Sequence, residues 1–202
     1  MENLLHSLVT KIRDTALTIE EFRLSVDKIA AILAIESAQF VQFDTTSVQT
    51  PFEIVEGISL TGSIILVPIL RAGAALLPAF LSYYANAKVG FIGLRRDEKT
   101  AIAKNYYINL PTIAPHDTII ILDPMLATGG SAIAAATIVL ENGATEENLH
   151  FVGVISAPDG EKSLSDAFPK LTMFIAQKDT SLNAQKFIVP GLGDFADRYF
   201  GT

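Results

Sequence analysis

Short apolar runs and helical patterns alternate along most of this chain. Continuous apolar runs of strand length occur at residues 64–70, 118–122 and 151–155, whereas residues 132–142 place apolar and small side chains at helical spacing. Apolar runs of this length are typical of parallel strands that are covered on both faces. The alternation therefore predicts an α/β fold with a mostly parallel central sheet flanked by helices.

Two stretches outside these runs indicate structure rather than chemistry. Thr18 and Glu21 have the spacing of a capping box, and the apolar residues that follow fall at helical spacing, which predicts a helix from this point. Residues 47–56 contain Pro51 and alternate imperfectly, as an edge strand or the arm of a hairpin does.

Composition narrows the class of protein. The chain of 202 residues is 50% hydrophobic and fits one domain with a sizeable core. Its formal net charge of −7 disfavours nucleic acid as a partner, because phosphate backbones require clustered positive charge. There is no cysteine, and the first residues lack the form of a signal peptide, so we expect a cytoplasmic protein. Residues 72–87 are uncharged but too short for a membrane span, so we expect no membrane partner.

The most informative stretch is residues 118–131, where an apolar run ends in Asp123, passes through a turn of small residues and opens onto a helical pattern. Gly129 and Gly130 bring nearly bare backbone to the predicted helix N-terminus, where free N–H groups and the helix dipole favour an anion. The same arrangement also occurs as plain scaffolding. The Walker A sequence and the Gly-x-Gly-x-x-Gly fingerprint are absent, so the usual nucleotide signatures do not apply.

Asp123 makes the anion interpretation more specific. A carboxylate at the carboxyl end of a parallel strand points into the crevice where open α/β sheets bind ligands. Because this carboxylate would repel a neighbouring phosphate, its natural partners are hydroxyl groups or a metal ion. A phosphate flanked by vicinal hydroxyls describes a ribose 5-phosphate, which is the ligand that this stretch predicts.

Two further stretches are candidates for the same site. Arg71 interrupts an uncharged passage, so its side chain either reaches the surface or meets an anion. Residues 187–202 combine proline, glycines, aromatic residues and an Asp/Asp/Arg set, which favours either a loop held in place for function or a packed tail. The histidines His6, His116 and His150 lack the spacing of metal ligands or of a catalytic triad.

Residues 123–131, Asp-Pro-Met-Leu-Ala-Thr-Gly-Gly-Ser, resemble the phosphoribosyl-diphosphate (PRPP) loop of uracil phosphoribosyltransferases, a branch of the type I phosphoribosyltransferase family. Most type I enzymes have two adjacent acids there, whereas Pro124 takes the second position here, as in the uracil branch. Residues 67–73 resemble the family's pyrophosphate loop, which often contains a cis peptide bond that does not involve proline. Residues 187–202 resemble its uracil-binding segment. The resemblance covers nearly the whole chain.

The resemblance implies a type I phosphoribosyltransferase fold with a protruding β-arm and a small hood. It implies a single domain over residues 1–202, with about residues 177–202 forming the hood. The implied reaction transfers the phosphoribosyl group of PRPP to uracil, giving UMP and pyrophosphate in pyrimidine salvage. Magnesium would enter as the PRPP complex. The implied assembly is a homodimer or a higher homo-oligomer. Some relatives are activated by GTP, and no residue decides whether GTP is an effector of this chain.

The resemblance also assigns roles to residues. Arg71 and Arg96 would hold the leaving pyrophosphate, Asp123 the ribose hydroxyls and residues 128–131 the 5-phosphate, with Asp194 near the ribose and the base. The implied catalytic residues are Arg71, Arg96 and Asp194. The implied PRPP-binding residues are Arg71, Arg96, Asp123, Pro124, Met125, Leu126, Ala127, Thr128, Gly129, Gly130, Ser131 and Asp194. The implied uracil-binding residues are Ile188, Gly193, Asp194 and Phe195, and no residue is implied as a metal ligand.

Three positions depart from the family pattern, namely Arg95 where tyrosine is usual, Asn109 where lysine is common, and Phe195 where many relatives have alanine. Phe195 would narrow the base pocket unless only its backbone faces the ligand. Two alternatives therefore stand beside uracil transfer. One is a non-catalytic regulatory protein of the same fold that senses UMP or PRPP, and the other is a phosphoribosyltransferase for another nucleobase.

Overall fold

A mostly parallel sheet forms the centre of the structure, a computed structural model that describes residues 2–96 and 103–202. The side chains of residues 2, 95, 96 and 103–105 lie outside this description. The strands are β1 (Gln42–Gln49), β2 (Ile54–Thr61), β3 (Ile64–Leu70), β4 (Lys88–Val89), β5 (Phe91–Arg96), β6 (Ala103–Asn109), β7 (Thr118–Leu122), β8 (Met125–Leu126), β9 (Leu149–Ser156), β10 (Thr172–Lys178), β11 (Ser181–Leu182) and β12 (Ile188–Val189). The helices are α1 (Glu2–Arg13), α2 (Ile19–Glu36), α3 (Leu77–Tyr83), α4 (Gly130–Glu141), α5 (Pro158–Ala167) and α6 (Phe195–Phe200). Among the described helices, none has the length and hydropathy that a membrane span requires.

The central sheet has the strand order β10-β9-β7-β3-β5-β6, and the short strands β4 and β8 pair with β3 and β9. Neighbouring strands are parallel except for β5 and β6. Strand β7 is buried over nearly its whole length, as expected of a strand that is covered on both faces. The predicted α/β class with a mostly parallel sheet is confirmed.

Helices cover both faces of this sheet, so alternate residues of one strand belong to different cores. Ile64 and Leu66 of β3 pack with residues of α1, α2 and α3, whereas Ile65 and Val67 pack with residues of α4 and α5. The alternation follows from the pleat of the strand, which points successive side chains to opposite faces. Burying each such aliphatic side chain contributes about 1.5–3 kcal/mol, so both faces fix the strands that lead to the site.

The helix and the arm that were predicted outside the sheet are both present. Thr18 Oγ1 accepts a hydrogen bond from the Glu21 N–H at 3.2 Å, and Glu21 Oε2 accepts one from the Thr18 N–H at 3.0 Å, which completes the capping box of α2. Strands β1 and β2 pair in antiparallel fashion, and Pro51 and Phe52 lie between them. Residues 47–56 therefore span the tip of a hairpin arm.

The strand order reverses between β3 and β7, which lie side by side. From β3 the chain continues to β5 on one side, whereas β7 lies on the other side of β3 and leads to β9 and β10. Open α/β sheets bind ligands at the carboxyl ends of strands beside such a reversal. Arg71 follows β3 and Asp123 follows β7, so the fold places both residues at this crevice.

Candidate active site

A cavity of about 350 Å³ opens at the crevice between β3 and β7. Its wall comes from three stretches that are far apart in the chain: residues 69–72, parts of residues 123–131 and parts of residues 187–196. Leu94 of β5 completes the wall. The three stretches that the sequence singled out therefore converge on one cavity.

Asp123 lies at the carboxyl end of β7, where it lines the cavity and is only 9% exposed. Its backbone N–H donates to the Val152 carbonyl at 3.2 Å, and its Oδ1 accepts the Met125 N–H at 3.3 Å. The carbonyl of Pro124 accepts the Ile155 N–H at 2.9 Å, which ties the next residue to β9. The carboxylate is thus held at a defined place at the end of the sheet.

The glycine turn after Asp123 leads directly into α4. Gly129 has a φ of +85°, a left-handed conformation that glycine adopts without steric cost, and α4 begins at Gly130. Gly160 of α5 packs so closely against the turn that a Cβ there would lie 2.6 Å from the carbonyl oxygens of both Leu126 and Ala127. Backbone packing therefore presents the N-terminus of α4, whose free N–H groups favour an anion.

Only part of the PRPP loop, residues 123–131, borders the cavity. Its members in the cavity wall are Asp123, Met125, Ala127 and Ser131. Pro124 and Leu126 are buried in the interior, and Leu126 is 1% exposed within the core beneath α4 and α5. Residues 128–130, at the turn into α4, are not among the described residues that line the cavity. From Asp123 to Ala127, residues alternate between the cavity wall and the buried interior, because β8 continues the pleat of the sheet.

Arg71 follows a cis peptide bond between Leu70 and Arg71, at the place where the resemblance implies one. Its Nη2 lies 3.1 Å from Asp197 Oδ1, and its Nη1 donates to Thr202 Oγ1 at 3.2 Å. The two side chains of the ion pair are 53% and 50% exposed, so water screens the pair. Both sequence alternatives for Arg71 hold in part, because the arginine lies near the surface and its anionic partner is a carboxylate of the same chain.

The part of residues 187–202 that is predicted to bind the base, residues 188–195, contributes to the opposite wall of the cavity and is called the base-binding segment below. Ile188 of β12 is 4% exposed, and Gly193 has a φ of +82°. Asp194 lines the cavity, and its Oδ1 accepts the Asp197 N–H at 3.0 Å. Asp194 therefore also caps α6, a structural role that the sequence did not suggest.

Phe195 borders the cavity, but most of its bulk lies in the core. The residue is 1% exposed, and its ring packs edge-on against Phe22 and parallel to Tyr199, with centroid distances of 5.6 Å and 6.0 Å. The side chain that departs from the family pattern is thus accommodated between α2 and α6.

Comparison with known proteins identifies the family to which this chain belongs. The family profile described as uracil phosphoribosyltransferase matches residues 1–202. The uracil phosphoribosyltransferase of Finegoldia magna is 42% identical over 195 residues, which cover 96% of this chain and 92% of the relative. The chain belongs to the uracil phosphoribosyltransferase family. The resemblance inferred from the three motifs is therefore confirmed.

Solved structures agree with the fold of this chain. The AQ2163 protein from Aquifex aeolicus matches with a TM-score of 0.88 at 32% identity, covering 98% of this chain and 95% of that one. The purine phosphoribosyltransferase from Pyrococcus horikoshii matches with a TM-score of 0.52 at 12% identity, covering 77% and 85%. The second likeness shows the fold alone, and it places this member of the uracil phosphoribosyltransferase family among the phosphoribosyltransferase folds.

Arg96 is the predicted catalytic residue about which the structure says least. It is the last residue of β5, and its backbone pairs with Ala103 of β6, but its side chain lies outside the described residues. Leu94, two positions earlier, lines the cavity. The strand that carries Arg96 thus borders the site, and the contact of Arg96 with pyrophosphate stays a prediction.

The described carboxylates at the cavity do not form a complete metal site. Asp123 and Asp194 line it, but in the ranges that the structure describes no group of three His, Cys, Asp or Glu residues is arranged to hold a metal ion. A magnesium ion at this place would need most of its oxygen ligands from water and from a bound phosphate compound, as magnesium commonly does. The two described carboxylates would therefore supply only part of the coordination of a metal ion.

Sequence reasoning missed the side chains that hold the base-binding segment in place. Arg13 and Asp179 form an ion pair beside Gly191, and Arg198 donates to the Leu192 carbonyl at 2.8 Å. Arg198 was visible only as part of the charged set in the tail. Arg13 is 166 positions from Asp179 and 178 positions from Gly191, so local spacing gave no signal for its contacts.

Proposed function

We propose that this protein transfers the phosphoribosyl group of PRPP to uracil, giving UMP and pyrophosphate in pyrimidine salvage. The observation that supports the proposal is that a carboxylate, a helix N-terminus, an arginine loop and a glycine-rich segment meet at one cavity of about 350 Å³. A transfer between two small molecules needs two adjacent subsites, and a cavity of this size accommodates them. Membership of the uracil phosphoribosyltransferase family supports the same reaction.

The ribose 5-phosphate half of PRPP would occupy the side of the cavity formed by the PRPP loop. The 5-phosphate binds at the N-terminus of α4, within residues 128–131, because Ser131 lines the cavity there and the dipole of the helix favours an anion. Asp123 accepts hydrogen bonds from the ribose hydroxyls. The nearly buried position of Asp123 strengthens these bonds relative to bonds in water.

In the reaction, the bond between ribose C1 and a pyrophosphate oxygen breaks while uracil N1 forms its bond to C1 and loses its proton. C1 carries positive charge in the transition state, and negative charge develops on the leaving pyrophosphate. Arg71 exchanges Asp197 for pyrophosphate, and Arg96 supplies a second positive charge, so catalysis is mostly positioning and charge stabilisation. Asp194 orients N1 of the base.

Magnesium belongs to the proposal as the PRPP complex. When bound, the ion would neutralise part of the pyrophosphate charge and would take most of its oxygen ligands from PRPP and water, and Asp123 and Asp194 are the carboxylates of the described cavity wall. The protein supplies few ligands of its own because Pro124 stands where a second acid would be.

Uracil would be selected by the backbone of the base-binding segment. Ile188 and residues 193–195 line the opposite wall. We expect their backbone groups to face the base, because uracil offers an edge of alternating carbonyl and N–H groups. Cytosine carries an exocyclic amino group, which would meet a donor there and remain unpaired, a costly mismatch in a buried site.

The proposal extends to the organisation of the protein. Residues 1–202 form a single domain in which about residues 177–202 are the hood over the base. Two copies form a homodimer to which the hairpin arm contributes, since the arm leaves Phe52 and Ile58 96% and 77% exposed. The absence of cysteine from the sequence is compatible with the cytoplasmic location that we propose.

Pyrophosphate release from PRPP, measured with a panel of nucleobases, tests the function. We expect release with uracil and little with cytosine or purines, and Arg71→Ala should lose most of it. Release with another base alone would replace uracil transfer by a different phosphoribosyltransferase activity. Calorimetric binding of UMP or PRPP without any release would indicate a regulatory protein. Repeating the assay with GTP, and sizing the protein in its presence, tests whether GTP is an effector.

A further inference from the structure

We infer that Arg13 and Asp179 are positioning residues that fix the base-binding segment by binding both the backbone N–H and the backbone carbonyl of Gly191. The inference rests on the proposed function, because it assigns these residues a role in the uracil half of that site. Arg13 is the last residue of α1, and Asp179 directly follows β10, so both lie outside residues 188–195, the segment that they hold.

The contacts surround Gly191 on both sides. Arg13 donates from Nη1 and Nη2 to the two carboxylate oxygens of Asp179, at 2.9 Å and 2.5 Å. Arg13 Nη1 also donates to the Gly191 carbonyl at 2.7 Å, and Asp179 Oδ2 accepts the Gly191 N–H at 2.8 Å. The donor and the acceptor of this one residue are therefore both bound to the same ion pair, which we name the Gly191 clamp.

The Gly191 clamp is shielded from water, unlike the pair between Arg71 and Asp197. The Asp179 side chain is 2% exposed and that of Arg13 is 22% exposed. A bidentate arginine–carboxylate pair has a fixed planar geometry, and in a shielded place it transmits that geometry to whatever it binds. A lysine would keep the charge but lose the fork, so the geometry and the charge can be tested separately.

The clamped residue lies directly before the residues that border the base. Gly191 has a φ of +62°, and a Cβ there would lie 2.0 Å from the Ile188 carbonyl oxygen, so the backbone is folded back tightly on Ile188. Gly193 and Asp194, which line the cavity, come two and three residues later. A shift of Gly191 would therefore move both ends of the base-binding segment.

A second arginine ties the same stretch to the same end of α1. Arg198 of α6 donates to the Leu192 carbonyl at 2.8 Å and also to the carbonyls of Ile12 and Asp14, at 2.5 Å and 2.6 Å. The guanidinium lies 4.4 Å from the centre of the Phe22 ring. The base-binding segment is thus anchored to the C-terminal end of α1. The PRPP loop is instead hydrogen-bonded to β9 and packs against α5.

This division predicts an effect on one substrate only. If the Gly191 clamp positions the base-binding segment, loosening it will weaken uracil binding and leave PRPP binding nearly unchanged. For Arg13→Lys and for Asp179→Asn we expect the KM for uracil to rise about tenfold and the KM for PRPP to stay within about twofold. The double variant should be little worse than the single variants, because both act through one clamp.

Arg23→Lys is the matched control. Arg23 also binds the C-terminal segment, through its Nε and the Tyr199 carbonyl at 2.8 Å, but it lies away from Gly191. We expect both KM values of this variant to stay within about twofold of the unchanged protein. Equal rises in the KM for uracil and the KM for PRPP in the two clamp variants, or an unchanged KM for uracil, would overturn the inference.

Amide hydrogen exchange separates this inference from the proposed function, because it needs no substrate. Peptides that cover residues 187–196 should exchange faster in Arg13→Lys and in Asp179→Asn, while peptides that cover residues 123–131 should not change. Unchanged exchange over residues 187–196 would overturn the clamp even in an active enzyme. Failure of the unchanged protein to use uracil would overturn the proposed function and leave the exchange result to decide the clamp.

Discussion

The PRPP loop and the base-binding segment reach the same cavity by different means. Backbone contacts hold the PRPP loop: the carbonyls of Pro124 and Leu126 accept N–H groups of Ile155 and Ala157 at 2.9 Å and 3.0 Å, and Gly160 packs beneath it. Side chains from remote residues hold the base-binding segment, chiefly through the Gly191 clamp. We therefore expect substitutions at the PRPP loop to reduce turnover, and substitutions around the base-binding segment to alter affinity for one substrate.

The largest loss of turnover should come from substituting Asp123, the carboxylate at the carboxyl end of β7. Asp123→Asn keeps the shape of the side chain but removes the charge that would bind the ribose hydroxyls, so we expect kcat to fall about 10²–10³-fold. The KM for uracil should change little, since Asp123 belongs to the other half of the site. Steady-state kinetics with each substrate varied in turn measures both values.

Asp117→Asn is the control for this substitution, because Asp117 lies at the opposite end of β7. Asp117 is 2% exposed, and its Oδ2 accepts the Ala114 N–H at 2.8 Å. Replacing the buried carboxylate of Asp117 should lower the free energy of unfolding by about 1–3 kcal/mol without lowering the kcat of the folded enzyme. Near-normal turnover in Asp123→Asn, or an equal loss of turnover in Asp117→Asn, would contradict the role assigned to Asp123.

A smaller effect should follow from filling the space beneath the PRPP loop. In Gly160→Ala the new Cβ would lie 2.6 Å from the carbonyl oxygens of Leu126 and Ala127, so the loop or α5 must move. We expect a loss of about 1–3 kcal/mol in stability and a loss of turnover of about tenfold. Gly57→Ala in β2 is the control, since its Cβ would meet nothing closer than 4.0 Å. Thermal melts and kcat compare the two, and unchanged turnover in Gly160→Ala would show that the loop tolerates displacement.

The same comparison explains how much the sequence could predict. The PRPP loop lies between β7 and α4, and the strand, the carboxylate, the glycine turn and the start of the helix follow one another within residues 118–131. A local sequence pattern therefore identified this strand–loop–helix unit. The Gly191 clamp joins residues that are 166 positions apart, and neither Arg13 nor Asp179 stands in a pattern that indicates a partner. The burial of Phe195 was equally hidden, because it depends on where Phe22 of α2 packs. Pairings across the fold require the fold itself.

A modest effect should come from the exposed ion pair between Arg71, which follows β3, and Asp197 of α6. If Arg71 binds pyrophosphate as proposed, Asp197 competes with pyrophosphate for it, and exposed pairs of this kind contribute about 0.2–1 kcal/mol. Asp197→Asn should therefore lower the KM for PRPP about two- to fivefold. The capping bond to Asp194 uses the backbone N–H of residue 197, so the substitution leaves it in place. Asp166→Asn, which breaks an exposed pair with Lys162, serves as the control, and a raised KM for PRPP in Asp197→Asn would show that Asp197 assists PRPP binding instead.

The smallest effect concerns β9, the strand that supports the PRPP loop. His150 lies near the start of β9, is 7% exposed and stacks on Phe40 with ring centres 4.3 Å apart. Its Nδ1 has no hydrogen-bond partner among the described residues. Burial lowers the pKa of His150 from 6.5 to about 4, so the folded protein holds the ring neutral where the unfolded chain would already bind a proton.

The sign of the pH dependence follows from this depressed pKa. Stability from the neutral ring is fully present above pH 6.5 and is lost as the pH falls from 6.5 towards 4, at a rate of at most about 1.4 kcal/mol per pH unit. In His150→Phe the ring can still stack on Phe40, but no group titrates there, so urea unfolding between pH 7 and pH 5 should give a shallower loss of stability than in the unchanged protein. Because carboxylates titrate in both proteins, the difference between the two curves isolates His150. Parallel curves would mean that the ring becomes accessible to protons without unfolding of β9, and the support of the PRPP loop would then be less rigid than its backbone hydrogen bonds indicate.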